Sequence, residues 1–204
     1  MKHLSLLLTL SFFVLSSDAI CQNSKTKKLL SEIEGEWSLN ENNELSYTVV
    51  LENLNNSKNE NYIKAKSFVS DINDANLNII DDNKDDGVLI VKGDYQKIFK
   101  GFINMESSEF GVTFTIKINL KDNRARMIVR LDKYNWLIPK DSFTGKEQNY
   151  ISNVVDEFPI NQKVRMGYMK NGYGQTFYHS HKFAKNLIQK FTNSLNSSNS
   201  DSDW

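Results

Sequence analysis

Chemistry could sit at three places in this 204-residue chain: a pair of histidines, an aspartate-rich turn, and a run of tyrosines and glycines. His179 and His181 stand one residue apart. On a strand they would share a face and could offer two nitrogen ligands to a metal. No cysteine or third histidine is at hand to complete the set, so no metal is expected. Both stand where the last helix should begin, and residues at a helix start is the plain reading. Residues 81–87, DDNKDDG, superficially resemble a calcium loop. An EF-hand needs glycine at its sixth position and glutamate at its twelfth. Counted from Asp81, those positions hold Asp86 and Lys92, so the stretch reads as a solvated turn. Serine, histidine and aspartate are all present, but no GxSxG elbow and no glycine-rich phosphate loop after a strand accompanies them. The expectation is therefore no catalytic residue and no cofactor.

The tyrosine and glycine run is residues 165–177, RMGYMKNGYGQTF. Glycines give mobility, while tyrosine and methionine give adaptable apolar contact with a polar handle. That combination suits a recognition loop, with Tyr168, Met169, Tyr173 and Phe177 as candidate binding residues. The competing reading is a hairpin turning at Asn171 and Gly172, its aromatics packed on the domain.

The elements that would position these residues follow from periodicity. Along residues 110–121, Phe110, Val112, Phe114, Ile116, Ile118 and Leu120 alternate with Gly111, Thr113, Thr115, Lys117, Asn119 and Lys121. Period two means a strand with one buried face. Asp122 and Asn123 make a two-residue turn, and pairing outward sets Leu120 opposite Ala125, Ile118 opposite Met127, Ile116 opposite Val129 and Phe114 opposite Leu131. Every apolar partner lands on one face, and a one-residue slip would destroy that agreement. Upstream, Leu45, Tyr47, Val49 and Leu51 form another strand. Ser57 and Glu60 then read as a capping box, and Tyr62, Ala65, Phe68, Val69 and Ile72 follow at helical spacing. Residues 77–80 and 88–91 read as short strands, and Phe183, Leu187, Ile188, Phe191 and Leu195 as a closing amphipathic helix. A short helix is expected in residues 25–37, whereas residues 135–176 show the least regularity. The fold class is α+β: an antiparallel sheet in strand, helix, four strands, helix order, with both helices packed on one face.

Residues 1–21 carry an address. Lys2 and His3 make a positive head, residues 4–15 an apolar run of 12, and residues 16–21 a small and polar exit. A membrane span needs about 20 apolar residues, so this reads as a removable signal peptide. Cleavage after Ala19 and after Cys21 both fit, and lipid attachment at Cys21 is disfavoured by bulky Ile20 before it. Without the leader no transmembrane segment is expected. The chain has 25 Lys and Arg against 25 Asp and Glu; losing Lys2 and Asp18 leaves the balance even. No global field draws nucleic acid or anionic lipid. A single cysteine in the leader means that a packed core, not disulfides, must hold the mature domain. The organisation expected is a signal peptide at 1–21, a preface at 22–44, one domain at 45–196 with an insertion at about 135–176, and a disordered tail at 197–204.

Three stretches carry a resemblance: LSYTVVLENLNNSKNENYIKAKSFVSDIN from Leu45, DDGVLIVKGDY from Asp85, and FTIKINLKDNRARMIVRLDKY from Phe114. They resemble a family of exported bacterial proteins known as a domain of unknown function with a TATA-binding-protein-like fold. The resemblance implies that TBP-like fold and export, with no catalytic residues to carry over. The hairpin positions that read KDGRYR in the family read Lys121, Asp122, Asn123, Arg124, Ala125 and Arg126 here. Lys117, Arg126 and Arg130 do mark the hairpin's polar face, but Asp132 interrupts them, and fold does not transmit DNA binding. The expected function is a non-enzymatic binding module in the periplasm or cell envelope, its partner an envelope protein or small ligand and not nucleic acid. The alternatives are an envelope enzyme using His179 or His181, and a lipocalin-like carrier, since Gly35-Glu36-Trp37 before a strand resembles a barrel's opening. A third is a structural component assembling through a bare sheet edge.

Overall fold

The computed structural model describes residues 24–103, 106–139, 145–163 and 167–197. The signal peptide read at 1–21 and residues 198–204 of the tail lie outside the described residues. Helix α1 (Ser24–Ser31) opens the described residues. Strand β1 (Ser46–Glu52), helix α2 (Lys58–Ser70), strands β2 (Asn76–Asn83), β3 (Val88–Ile103), β4 (Glu106–Lys121), β5 (Arg124–Ile138) and β6 (Gln148–Asn153), and helix α3 (Gly167–Asn196) follow. All strand pairs are antiparallel. The sheet runs β1-β5-β4-β3-β2, and β6 joins the same side of β5 beyond the end of β1. The architecture is the α+β class that the pattern dictates, with helices on one sheet face. The sheet stays open and α2 intervenes after β1, so an up-and-down carrier barrel is ruled out.

The central hairpin forms in the register that its alternation dictates. Leu120 faces Ala125, Ile118 Met127, Ile116 Val129 and Phe114 Leu131, and all eight side chains are buried. Asn123 takes φ 55° in the turn; Asn43, Asn53 and Asn55 also have positive φ. Asparagine tolerates that region, which is one use of the chain's 25 asparagines. A bulge at Asp132 restores the register, so Tyr134 and Trp136 also point into the core. A second bulge lies in β3 between Tyr95 and Phe99. Gly111 makes room for it: a Cβ there would meet the Tyr95 and Gln96 carbonyl oxygens at 2.8 and 2.9 Å.

Helix α2 begins at the expected capping box. Ser57 Oγ accepts from the Glu60 backbone N–H, and the Glu60 carboxylate accepts from the Ser57 N–H at 2.7 Å. Its face of Tyr62, Ala65, Phe68 and Val69 is buried, with Phe68 set edge-on to Phe191 of α3 at 5.4 Å.

Three expectations are corrected. Five strands follow α2, not four, because β6 lies in the stretch read as an irregular insertion. QNYISN is a short edge strand with mostly exposed side chains, so it carries no alternating burial signal. The paired strands read at 77–80 and 88–91 are also longer, β3 reaching Ile103. The closing helix begins at Gly167, so residues 167–177 of the tyrosine and glycine run are neither loop nor hairpin but the first third of α3. Gly172 and Gly174 disguised it, since isolated glycines weaken a helical pattern. Gly174 is required for contact: a Cβ there would meet Thr26 Cγ2 of α1 at 2.6 Å. The two histidines consequently sit in mid-helix rather than at its start.

Candidate functional site

Between α3 and the sheet runs a seam of polar groups inside an otherwise apolar core. Its first part joins two neighbouring segments near the start of the chain to α3, more than 130 residues away. Tyr47 comes from β1, His181 from α3, and Glu36 from the connection after α1. The His181 side chain has no solvent exposure, while Glu36 is 42% exposed. The Tyr47 hydroxyl lies 3.1 Å from His181 Nδ1, and Glu36 Oε2 lies 3.2 Å from Nε2. A carboxylate only accepts, so Nε2 carries the proton and Nδ1 accepts from Tyr47. Burial lowers the His181 pKa below its ordinary value, against the pull of Glu36. The hydrogen bond from His181 holds the Glu36 carboxyl below its usual range. Tyr47 is pushed up, first by burial and then by the charge on Glu36. With both ring nitrogens engaged, this arrangement ties the α1 segment to the sheet.

The seam continues past Tyr134, whose hydroxyl is wholly enclosed and raised well above its ordinary pKa by burial. Ser180 tempers that shift without a well-formed hydrogen bond between them. Beyond it, Glu157 accepts from Ser152 and Tyr173, yet burial still raises its pKa. Tyr173 is pushed up to about 12 by burial, with the Glu157 charge adding to it.

The candidate binding residues do not form one surface. Tyr173 and Phe177 are core residues, 3% and 1% exposed. Tyr173 packs edge-on to Phe110 at 5.7 Å, and Phe177 edge-on to Trp37 at 4.9 Å. Tyr168 and Met169 are half-buried at the start of α3. On a helix, residues two apart point in different directions. His179 accordingly turns away from the seam and stacks on Phe99 at 5.8 Å, its pKa lowered by burial and then by Lys25. The aspartate turn is tied internally: Asn83 Oδ1 accepts from the Asp86 N–H, and Asp82 pairs with Lys66 of α2 at 2.6 Å. Among the described residues no group of three metal-capable side chains converges.

Among the described residues, no helix lies over the opposite face of the sheet. Its residues are the polar halves of the alternating strands. One rung reads Val50, Arg126, Asn119; the next Thr48, Ile128, Lys117, Ile90, Asp81; the next Ser46, Arg130, Thr115, Lys92, Asn78. Arg130 anchors the middle, paired to Glu44 at 2.7 Å and Asp132 at 2.6 Å. Burial works against its charge, and these two carboxylates more than offset that. Around Arg130 and the turn at 40–44 lies a shallow depression of about 440 Å³, floored by Ile90, Thr115, Lys117 and Ile128. Sequence reasoning marked Lys117, Arg126 and Arg130 on this face but missed Lys92. The signal was present in the alternation of Ile90 and Lys92 with buried Leu89 and Val91.

Residues 47–133 match the model of a domain of unknown function (DUF4468) with TBP-like fold. Among solved structures, a DUF4468 family protein from Bacteroides ovatus ATCC 8483 aligns with TM-score 0.50 at 10% identity, covering 81% of this chain and 94% of that one. A TBP-like protein from Parabacteroides distasonis ATCC 8503 aligns with TM-score 0.46 at 18% identity, covering 74% and 94%. No curated protein matches the chain.

Proposed function

We propose that this chain, which carries in residues 47–133 the domain of unknown function with a TBP-like fold, is an exported binding module that engages its partner on the uncovered face of its sheet. One observation carries the reading. The helix side is filled by core side chains, Tyr173 and Phe177 among them, while among the described residues the other face of the same sheet stands open. That face combines aliphatic side chains (Val50, Ile90, Ile128) with cations, the mixture of apolar and charged groups from which recognition surfaces are built. Export is supported by the signal-like composition of residues 1–21. Fold likeness to a DNA-binding protein adds nothing about the partner.

Two measurements test the proposal. Cells expressing the full chain with a C-terminal tag are fractionated; a shortened product in the periplasm or envelope is expected, and a full-length cytosolic product refutes export. In a Cys21→Ala background, Thr48→Cys on the open face and Lys190→Cys on α3 are then labelled with a thiol reagent, in intact cells and after purification. Slower labelling of Thr48→Cys in cells only is expected. Equal labelling in both settings leaves the open face unoccupied and refutes the reading.

A further inference from the structure

We infer that the open sheet face binds an acidic polypeptide segment in extended conformation, an inference that rests on the reading above and names its partner class. Arg130 and Arg124 on this face are paired with carboxylates, but among the described residues Lys92, Lys117 and Arg126 are not. Glu44 and Asp132 are taken by Arg130, and Asp94 accepts from Asn135 at 3.2 Å. Arg126 reaches only the Asn119 amide, at 3.1 Å. Lys92 and Lys117 pair with no carboxylate among the described residues, and the same holds for Lys133, beside Thr113. Asp81, on the edge strand beyond Ile90, is the facing carboxylate without a partner.

The register sets three of these cations on a diagonal. Lys92 lies opposite Thr115 on β4, Lys117 stands two residues further along β4, and Arg126 lies opposite Asn119, two residues further again. Strands sit about 4.8 Å apart and alternate residues about 6.8 Å apart, so each step spans roughly 8 Å. Same-side residues of an extended polypeptide repeat at about 6.8 Å, and the flexible lysine stems absorb the difference. Ile90, Ile128 and Val50 flank the diagonal and meet the apolar side chains of an acidic and aliphatic sequence. Among the described residues the rungs carry no aromatic ring, so bases of a single-stranded nucleic acid find no stacking platform.

The test uses the purified protein and a fluorescein-labelled peptide of alternating glutamate and valine, read by anisotropy. The expected result is binding that weakens on the order of tenfold when salt rises to about 0.5 M. The combined substitution Lys92→Glu, Lys117→Glu and Arg126→Glu is expected to weaken it by a similar factor. Lys117→Gln alone produces a smaller loss, Lys190→Glu produces none, and circular dichroism verifies that each variant is folded. Equal affinity for an alternating lysine and valine peptide overturns the inference, as does unchanged binding by the folded triple variant. Tighter binding of a single-stranded oligonucleotide or of phosphatidylglycerol vesicles overturns it too. If the peptide fails while Thr48→Cys remains protected in cells, the ligand class is wrong and the open-face reading stands; loss of that protection removes both.

Discussion

Acidification should loosen this domain through His181, and the structure supplies both the sign and the scale. The imidazole is fully enclosed and neutral, with a folded-state pKa below the ordinary 6.5. The unfolded chain therefore takes up a proton at a pH where the folded chain refuses it. Stability is complete above pH 6.5, falls as pH drops below it, and levels off only below the folded-state value. Within that window one such group contributes a slope approaching about 1.4 kcal/mol per pH unit. His179, also lowered by burial, adds a slope of the same sign. Replacing His181 with phenylalanine keeps a ring against Tyr47, now 5.4 Å away, and removes the titration. The variant orphans the buried Tyr47 hydroxyl, at a cost of about 1–3 kcal/mol at pH 8. Glu36 is open enough for water to replace its lost bond.

Urea unfolding between pH 8 and pH 5, in a His179→Gln background, is the assay. The parent should lose stability below pH 6.5, and His181→Phe should start lower but run flat. Glu36→Gln should deepen the loss, because the carboxylate charge is one of the few influences favouring the imidazolium. NMR of the ring protons gives the folded-state ionisation directly. A value at or above 6.5, or a slope that survives His181→Phe, would refute this account of the seam.

Other changes have equally definite outcomes. Ser57→Ala removes one half of the capping box and should cost about 1 kcal/mol by urea unfolding, whereas Ser57→Asp should cost little. Gly87→Ala forces a Cβ onto the Leu120 carbonyl oxygen at a positive φ of 65°; a drop in thermal midpoint is expected, larger than for alanine at Gly35, which has open space. Glu157→Gln removes a charge that burial disfavours. Because the folded-state pKa is raised above 4.5, that charge opposes folding above the window and ceases to do so as pH falls through it. The variant should be more stable than the parent at pH 7, with the gain shrinking as pH falls through the raised folded-state value toward 4.5.

Legibility from sequence followed the scale of the interactions. The β4–β5 hairpin and the α2 capping box depend on neighbours within a few residues, and both formed in the register and with the partners read from the chain. Strand β6 was invisible because an edge strand lacking a buried face leaves no period in the sequence. The first third of α3 was misread for the opposite reason. Gly172 and Gly174 signal a loop locally, and only the approach of Thr26, about 150 residues away, explains the place of Gly174 in a helix. The Tyr47, His181 and Glu36 tie was beyond local reasoning, since its members come from a strand, a helix and a connection.

The same alternation that made the hairpin legible also divides the labour of the molecule. A strand offers each face only every second residue, so choosing Ile116 and Ile118 for the core leaves Thr115, Lys117 and Asn119 free of any packing duty. Mutation on the helix side disturbs stability first: Tyr173 and Phe177 lie among the largest rings of the core, and their loss would be felt as unfolding before any ligand was missed. The rungs of the other face tolerate change of charge at little cost to folding, because their side chains reach into solvent. A binding role placed on Lys92, Lys117 and Arg126 is thus one that substitution can separate from the fold, which no residue of the tyrosine and glycine run in the core would allow.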